Sequence, residues 1–382
     1  MDSLPNSLEP EIVVIFQEVQ IGNKKFKSNL IHTPFSTPNI ENKKRNKKVK
    51  QNPTLYKKYE ALKSLFTEDQ VMVSKLYDIF QSTNLDFGLN FESSMKEEQN
   101  SFNSAIVPSF DFLEFGKLSD KTLHFLNSDE EFKVKTLQDL GAQGNIDFSL
   151  LFNHIIKNTS DEPQIISIFE DKFIIPKRAN FLLSDISKLE PLINFSKYDF
   201  IILDPPWKNK SVRRSKQYNV MDCYDLFKIP MKELALGVVA IWVTNNPKFC
   251  KFVKNKLFPD WHLELIGEWF WLKVTTAGEW VFNLQETDNR KPYERIIIGK
   301  VKDYASEKIS YKAIPYHLGI VSVPGKHSRK PNLSDIFNKY FSSDDDVNKL
   351  EMFARNLTEG YTSWGNECLK FNNLSYYTDV IR

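Results

Sequence analysis

The chain is short of the residues that staple small proteins. Its three cysteines, Cys223, Cys250 and Cys368, are scattered among 382 residues and form no Cys-x-x-Cys pair. That argues against a disulfide framework or a zinc site and fits a reducing compartment. No Gly-x-Gly-x-x-Gly run is present, so the usual dinucleotide-binding fingerprint is missing. No apolar run reaches membrane-spanning length, and no basic-then-apolar leader is seen. The expectation is a soluble, intracellular protein with no membrane partner. Net charge is only +2, so any affinity for nucleic acid must come from local patches. What remains, 41% hydrophobic and 13% aromatic residues, describes a globular protein with at least one large core.

Three regions follow from the pattern. Residues 1–53 read as a flexible segment with one short apolar run, Ile12–Phe16, suited to an edge strand. The same segment holds a basic cluster, Lys43-Lys-Arg-Asn-Lys-Lys-Val-Lys50, which suits a nuclear address or a phosphate-binding arm. Residues 54–158 predict a smaller, mostly helical domain. Its helical stretches are Tyr56–Phe66, Glu68–Gln81, Leu118–Phe132 and Ile146–Ile156, and its role is either that of a docking or RNA-gripping module or packing support for the main domain. Asn158–Pro163 reads as a linker. Residues 164–382 alternate strands and helices, which predicts an α/β, doubly wound, Rossmann-like sheet. Its expected elements include a hairpin at Ile165–Phe169 and Lys172–Ile175. Strands are expected at Phe200–Leu203, Val238–Val243, Leu263–Trp271, Glu294–Gly299, Gly319–Val323 and Lys349–Phe353. Helices are expected at Ile229–Ala235, Lys248–Leu257 and Leu333–Phe341.

Tyr198-Asp-Phe-Ile-Ile-Leu-Asp-Pro-Pro-Trp207 carries the chemistry. Phe200–Leu203 is an apolar, β-rich run suited to a strand covered on both faces. Asp204 then falls at the carboxyl end of the sheet, where ligands of open α/β sheets bind. Pro205 and Pro206 end the ladder and stiffen the turn, leaving the Asp204 and Pro205 carbonyls to accept hydrogen bonds. Trp207 adds a flat face. An acid, a rigid carbonyl and an aromatic plate suit the holding of a flat base by its exocyclic amine. Immediately afterwards Lys208, Asn209, Lys210, Ser211, Arg213 and Arg214 make a basic, polar loop suited to phosphates, with Tyr218 placed to stack on a base. His327-Ser-Arg-Lys-Pro331 is a second basic patch, with His327 a candidate substrate contact.

Further motifs accompany this stretch. They are Phe181-Leu-Leu-Ser-Asp-Ile-Ser187, Asn209–Ser215, Trp242-Val-Thr-Asn245, Lys291-Pro-Tyr-Glu294, Phe353-Ala-Arg-Asn356 and Thr362-Ser-Trp-Gly-Asn-Glu367. With them the chain, from Ile174 onward, resembles the DPPW-type N6-adenine methyltransferases, the messenger-RNA adenosine methyltransferase family, in its methyltransferase-like protein four branch. The resemblance implies a permuted sheet and S-adenosylmethionine as cofactor, with no metal. It implies that Asp185 and Ile186 grip the cofactor's adenine, that Phe353, Arg355 and Asn356 meet it at a strand end, and that Asn366 and Glu367 hold its ribose. Asp204 would also touch its ammonium. Where messenger-RNA relatives carry a cofactor-binding Lys before the strand Glu, this chain reads Pro292-Tyr293. Either Lys291 reaches in or Tyr293 takes over. The relatives' Arg-Pro-His-Asn segment is shortened here to Arg355-Asn356. Asp204, Pro205, Pro206 and Trp207 are the implied catalytic set.

The implied substrate is RNA, in particular an internal 2′-O-methyladenosine of a spliceosomal small nuclear RNA. DNA is the alternative, and an inactive nucleic-acid-binding subunit is the rival from another class. A nuclear location is expected, with cytoplasm or mitochondrion as alternatives, and the oligomeric state stays open. Replacing Arg213 and Arg214 together with Ala is expected to weaken nucleic-acid binding and to lower the slope of log affinity against log salt by about one unit per lost phosphate contact. A salt titration of binding checks this, and an unchanged slope makes the loop a solvated surface.

Overall fold

The computed structural model describes residues 10–14, 18–21, 24–28, 69–83, 134–140, 146, 151, 154–168, 171–184, 186, 189–207, 221–284, 291–303, 309, 314–324, 329–341, 347–374 and 377–379. Its strands in chain order are β1 (Glu11–Val14), β2 (Glu18–Ile21), β3 (Lys24–Ser28), β4 (Val134–Thr136), β5 (Ile155–Lys157), β6 (Gln164–Ile168), β7 (Asp171–Ile175) and β8 (Asn180–Leu182). There follow β9 (Tyr198–Leu203), β10 (Ala235–Val243), β11 (Leu263–Lys273), β12 (Tyr293–Val301), β13 (Leu318–Ser322), β14 (Lys349–Met352), β15 (Tyr361–Trp364) and β16 (Tyr377–Asp379). Eleven of them form one sheet in the order β1-β13-β11-β12-β10-β9-β14-β15-β8-β5-β4. The strands β10, β9, β14, β15 and β8 run parallel to their neighbours in that series. β12 is antiparallel to both β10 and β11, so it enters the sheet where its neighbours leave it.

Every residue of β9 is buried, all but one of β10, and the central run Arg295–Gly299 of β12. Such strands need cover on both faces. On one face Ile201, Leu203, Val239, Ile241, Leu350 and Met352 pack under the helices Glu190–Phe195, Met231–Leu234 and Pro247–Phe252. On the other, Phe200, Ile202, Ala240, Trp242, Trp271 and Ile296 pack against the helix Ser334–Tyr340 through Ile336 and Phe337. The alternation along β9 therefore fixes the face of Asp204: it lies with Phe200 and Ile202, on the Ser334–Tyr340 side.

The expected hairpin is β6 with β7, antiparallel and separate from the main sheet. The expected edge strand is β1, parallel to β13. The helix after Asn246, expected over Lys248–Leu257 with its end near Pro259, closes at Asp260. It widens into a π-turn at Val253–Leu257 and continues through Phe258–Asp260, so Pro259 lies inside it. The wider turn accommodates a residue that has no N–H to donate.

Two expectations fail. Ile155 and Ile156, placed in a helix by spacing, form β5 in the main sheet between β4 and β8. Both are fully buried, and a buried pair of β-branched residues fits a strand. Asn158, expected to open a linker, is 1% exposed; its amide donates to the Ile175 and Pro176 carbonyls at 3.2 and 2.9 Å, which makes 158–163 a tied turn. Within 54–158 the described parts, helix 69–82, β4 and β5, all pack into the core of the main sheet. The basic cluster 43–50 and the helices expected at 56–66 and 118–132 lie outside the described residues.

The register between β9 and β10 shifts between Ala235 and Val238, a bulge that brings Gly237 against β9. A Cβ on Gly237 would lie 2.6 Å from the Asp199 carbonyl oxygen and 2.5 Å from Ile309 Cδ1. Backbone in a central strand yields little. Gly237→Ala is therefore expected to destabilise the fold by about 1–3 kcal/mol in urea unfolding, and a change under about 0.5 kcal/mol would mean that β9 and β10 part without cost.

Candidate active site

Four strands deliver ionisable groups to one edge of the sheet, all on the Ser334–Tyr340 face. β9 ends in Asp204. β14, parallel beside it, carries Glu351 opposite Ile202. β11 ends in Lys273. β12, running the other way, begins with Tyr293 and Glu294, so Glu294 reaches the same edge. A fifth group, Lys330, comes from the segment before the helix Ser334–Tyr340.

Lys330 joins them. Its ammonium lies 3.0 Å from Asp204 Oδ1 and 3.0 Å from Glu294 Oε2. Lys273 makes a very close ion pair with Glu294 Oε1. Arg355 approaches Asp204 Oδ2 at 3.5 Å. Two tryptophans floor the cations: Lys330 lies 5.5 Å from the Trp242 ring centre and Lys273 4.4 Å from that of Trp271. These side chains are between 10 and 23% exposed, so the charges must be paired to persist.

The electrostatics follow from the pairing. Burial alone would raise the Glu294 carboxyl, but Lys273 and Lys330 outweigh it and hold it at about 2. Burial works against the Lys330 charge, yet Asp204 and Glu294 hold its ammonium above the usual lysine value. Burial lowers Lys273, against the pull of Glu294. Among the described residues no ion pair forms with Glu351; Thr358 donates to it at 3.3 Å. Burial, then the neighbouring Asp204, pushes it up to about 7. Glu294 and Glu351, on β12 and β14 with β10 and β9 between them, are thus shifted in opposite directions by different surroundings.

The turn after Asp204 is locked from within. The Asp204 N–H donates to the Met352 carbonyl at 3.2 Å, and the Trp207 N–H donates to the Pro205 carbonyl at 2.8 Å. The indole N–H of Trp207 donates to the Trp242 carbonyl at 2.7 Å, and its ring packs 4.8 Å from that of Phe249. Beside it the ends of β14 and β15 nearly touch. Phe353 takes φ +58°, its ring lies edge-on to Trp364, and the Ala354 N–H donates to the Trp364 carbonyl at 3.0 Å. Gly365 has φ +151°, and a Cβ there would sit 3.3 Å from Ala354 N and O and from Phe353 Cα. Glycine is what allows the two chains to lie this close.

Residues 198–367, which contain all of these groups, match the MT-A70 family. The chain belongs to this family. It is 37% identical over 293 residues to the human N(6)-adenine-specific methyltransferase METTL4, an alignment covering 74% of this chain and 61% of that protein. The chain thus spans less than two thirds of that relative. It is 36% identical over 217 residues to the N6-methyladenosine RNA methyltransferase MTA1 of Pyricularia oryzae, covering 53% of this chain and 56% of that protein. It is 30% identical over 243 residues to a DNA N6-methyl methyltransferase of Caenorhabditis elegans, covering 62% of each.

Within this MT-A70 domain the structure brings Asp204, Pro205, Pro206, Trp207, Phe353 and Arg355 to one edge of the sheet, with Gly365 against Phe353. Three placements differ from those expected. Trp207 is 7% exposed and turned into the core, so it is an anchor for the turn and not an open plate. The Pro205 carbonyl is not free, since it already accepts the Trp207 N–H. Lys291 does not reach Asp204; its ammonium lies 3.5 Å from the Leu284 carbonyl, and the cations on Asp204 are Lys330 and Arg355. Tyr293 does not replace it either, being fully buried edge-on to Phe270. Glu367 pairs with Lys370 at 2.9 Å, Asn366 is exposed, Asn356 is half-buried, and Ile186 packs on the core. Asp185, Lys208, Asn209, Lys210, Ser211, Arg213, Arg214, Tyr218 and His327 lie outside the described residues.

Sequence reasoning missed Lys273, Glu294, Lys330 and Glu351 as site groups. The signal was present: a Lys closing one apolar strand and a Glu opening the next place opposite charges at one sheet edge. Glu351 gives a measurable consequence. Its folded carboxyl titrates above the ordinary 4.5, so the protonated form is favoured by folding. Its stabilising contribution is present at low pH and is lost as pH rises through about 7. Glu351→Gln removes that loss. The variant should therefore gain stability relative to the parent by on the order of 1–3 kcal/mol between pH 5 and 8 in denaturant unfolding, and a pH-independent difference would place Glu351 in water.

Proposed function

We propose that this protein transfers a methyl group to N6 of adenine in nucleic acid, with S-adenosylmethionine as donor. One observation carries the reading: a carboxylate at the carboxyl edge of β9, held by Lys330 at 3.0 Å and Arg355 at 3.5 Å, and followed by a Pro-Pro-Trp turn locked from within. The relatives' printed names share N6 methylation; the human one adds adenine, the fungal one RNA and the nematode one DNA.

The donor set fits the cofactor. Asp204 suits an ammonium, Lys330 and Arg355 suit a carboxylate, and Asn366 and Glu367 suit a ribose. The close backbone approach at Gly365 offers peptide groups without side-chain obstruction. Asp185 and Ile186, with Phe353 and Asn356, complete the set that we assign to it. When bound, S-adenosylmethionine supplies an electrophilic methyl group on sulfur.

The residues then have a defined task. The N6 amine is a poor nucleophile because its lone pair is delocalised into the ring. N–H groups donated to the Asp204 carboxylate and to the remaining lone pair of the Pro205 carbonyl favour a pyramidal nitrogen with its lone pair directed outward. Lys330 and Arg355 fix the carboxylate, and Trp207 fixes the turn through Trp242. Proximity is the main contribution to rate, with general-base catalysis secondary.

Among nucleic acids we favour RNA, and within RNA an internal 2′-O-methyladenosine of a small nuclear RNA. The branch resemblance and the fungal relative's printed name support this. Extruding one base is cheapest in a single strand. In this reading Lys208, Asn209, Lys210, Ser211, Arg213 and Arg214 meet phosphates, Tyr218 and His327 contact the substrate, and the basic run 43–50 is a nuclear address. Initial rates on three matched single strands test it: RNA with 2′-O-methyladenosine should be fastest, RNA with adenosine next and DNA slowest. Asp204→Ala should lower the rate more than about 100-fold while the protein stays folded by circular dichroism. If DNA is fastest the RNA assignment is wrong, and if the variant keeps its rate the site is misplaced.

A further inference from the structure

Helix 69–82 lies outside the family-matched region 198–367, yet it is tied to the site. Val73, Leu76 and Phe80 are buried against Phe270, Leu272, Tyr293 and Val321, on the face of the sheet opposite Asp204. Polar contacts then run from the helix to the connection between β11 and β12, the two strands that carry Lys273 and Glu294. Tyr77 Oη and Gln81 Nε2 both donate to the Gly278 carbonyl, at 3.0 and 3.1 Å. The Tyr77 ring stacks on Trp280 with 4.1 Å between centres. Gln70 Nε2 donates to the Leu284 carbonyl at 3.1 Å, the same oxygen that Lys291 approaches from the returning end. Asp69 pairs closely with Arg295, the residue after Glu294.

The path onward is short. Gly278 belongs to a turn in which its N–H donates to the Thr275 carbonyl at 3.0 Å and the Thr275 N–H donates to that of Glu279 at 2.7 Å. Val281 N–H, just beyond, donates to the Lys273 carbonyl at 3.2 Å, while the Lys273 N–H donates to the Pro292 carbonyl at 2.8 Å. Lys273 is thus held at the backbone by both ends of the connection, and its ammonium holds Glu294. Glu294 holds Lys330, and Lys330 holds Asp204.

We propose that helix 69–82 is the positioning element of the site, with Tyr77 and Gln81 as positioning residues that clamp the 274–284 turn and so set the Lys273–Glu294–Lys330 row beside Asp204. The consequence for nucleic acid rests on the function proposed above; the clamp itself does not. A helix that only filled space would need its apolar face and nothing more. Here two side chains converge on one carbonyl, a third caps the far end of the turn, and an ion pair secures the start of β12. Because the row includes Lys330 and Asp204, which the function proposed above gives to the cofactor's amino-acid group as well as to the base, the clamp should be felt by nucleic acid and cofactor alike.

The test uses the full chain and the double variant Tyr77→Ala/Gln81→Ala. Tyr77→Phe keeps the stack on Trp280 and guards against misfolding, and Val71→Ala, a 66% exposed position on the same helix, is the control. Hydrogen exchange of 274–284, affinity for an adenine-containing single-stranded RNA, and affinity for S-adenosylmethionine are read. In the double variant, exchange at 274–284 should rise and RNA affinity should fall by about tenfold each, the factor that about 1.4 kcal/mol represents. S-adenosylmethionine affinity should fall as well, through Lys330 and Asp204, Tyr77→Phe should be intermediate, and Val71→Ala silent. Faster exchange with unchanged RNA affinity would reduce the helix to packing support, and unchanged exchange would remove the clamp. Absence of methyl transfer by the parent protein defeats the proposed function alone, since exchange and binding still decide the clamp.

Discussion

Lys330 is shared by two carboxylates, and the site depends on that sharing. Asp204 and Glu294 arrive on strands separated by β10, and their charges repel. An ammonium 3.0 Å from each turns the repulsion into a bridge. None of the three groups is well solvated, so removing the lysine would leave two poorly hydrated anions, a loss on the order of 3–5 kcal/mol for a buried pair. Lys273 and Arg355 at the two ends make the row alternate in sign: Lys273, Glu294, Lys330, Asp204, Arg355. An alternating row offers both an anion and a cation to whatever enters, with only one positive charge in excess. A zwitterionic amino-acid group beside a neutral base is the kind of pair such a row accommodates.

Topology explains why these residues meet. In an all-parallel sheet every strand would bring its carboxyl end to the site. β12 does the reverse: being antiparallel to β10 and β11, it contributes its first residues. Glu294 is therefore followed by a strand, where Asp204 is preceded by one. Two short turns of chain, 274–284 and 291–293, then lie over the edge and are accessible to a helix from the opposite face. The helix 69–82 uses that access.

Much of the architecture was legible because burial on two faces leaves an unmistakable apolar run. Phe200–Leu203, Val238–Val243 and Glu294–Gly299 are such runs, and each is a strand. The short strands were harder. Ile155–Lys157 is three residues, and no period can be read from three. At the site, Asp204 and Arg355 were visible because motif and strand end coincide. Lys330 and Glu351 were not: Glu351 shares a face with Asp204 only through the register of β14 on β9, and Lys330 reaches Asp204 from the segment before the helix Ser334–Tyr340. Lys291 is close to Glu294 along the chain, but the Pro292 carbonyl accepts the Lys273 N–H, and the Lys291 ammonium lies 3.5 Å from the Leu284 carbonyl.

Trp207 shows how a motif can keep its residues while changing their physical reading. An aromatic after Asp-Pro-Pro invites a stacking role. Here the indole N–H is spent on the Trp242 carbonyl and the ring on Phe249, so the side chain points into the core. Trp242 in turn presents its ring to Lys330 from the other side of its own strand. One residue thus receives the anchor of the Asp204 turn at its backbone and supports the Asp204 counter-ion with its side chain. The carboxylate and its cation are held to a common strand, β10, which lies between the strands that bear Asp204 and Glu294. A shift of β10 would move both together. The geometry between acid and cation is therefore kept by the sheet itself, and the turn needs an inward tryptophan more than an outward one.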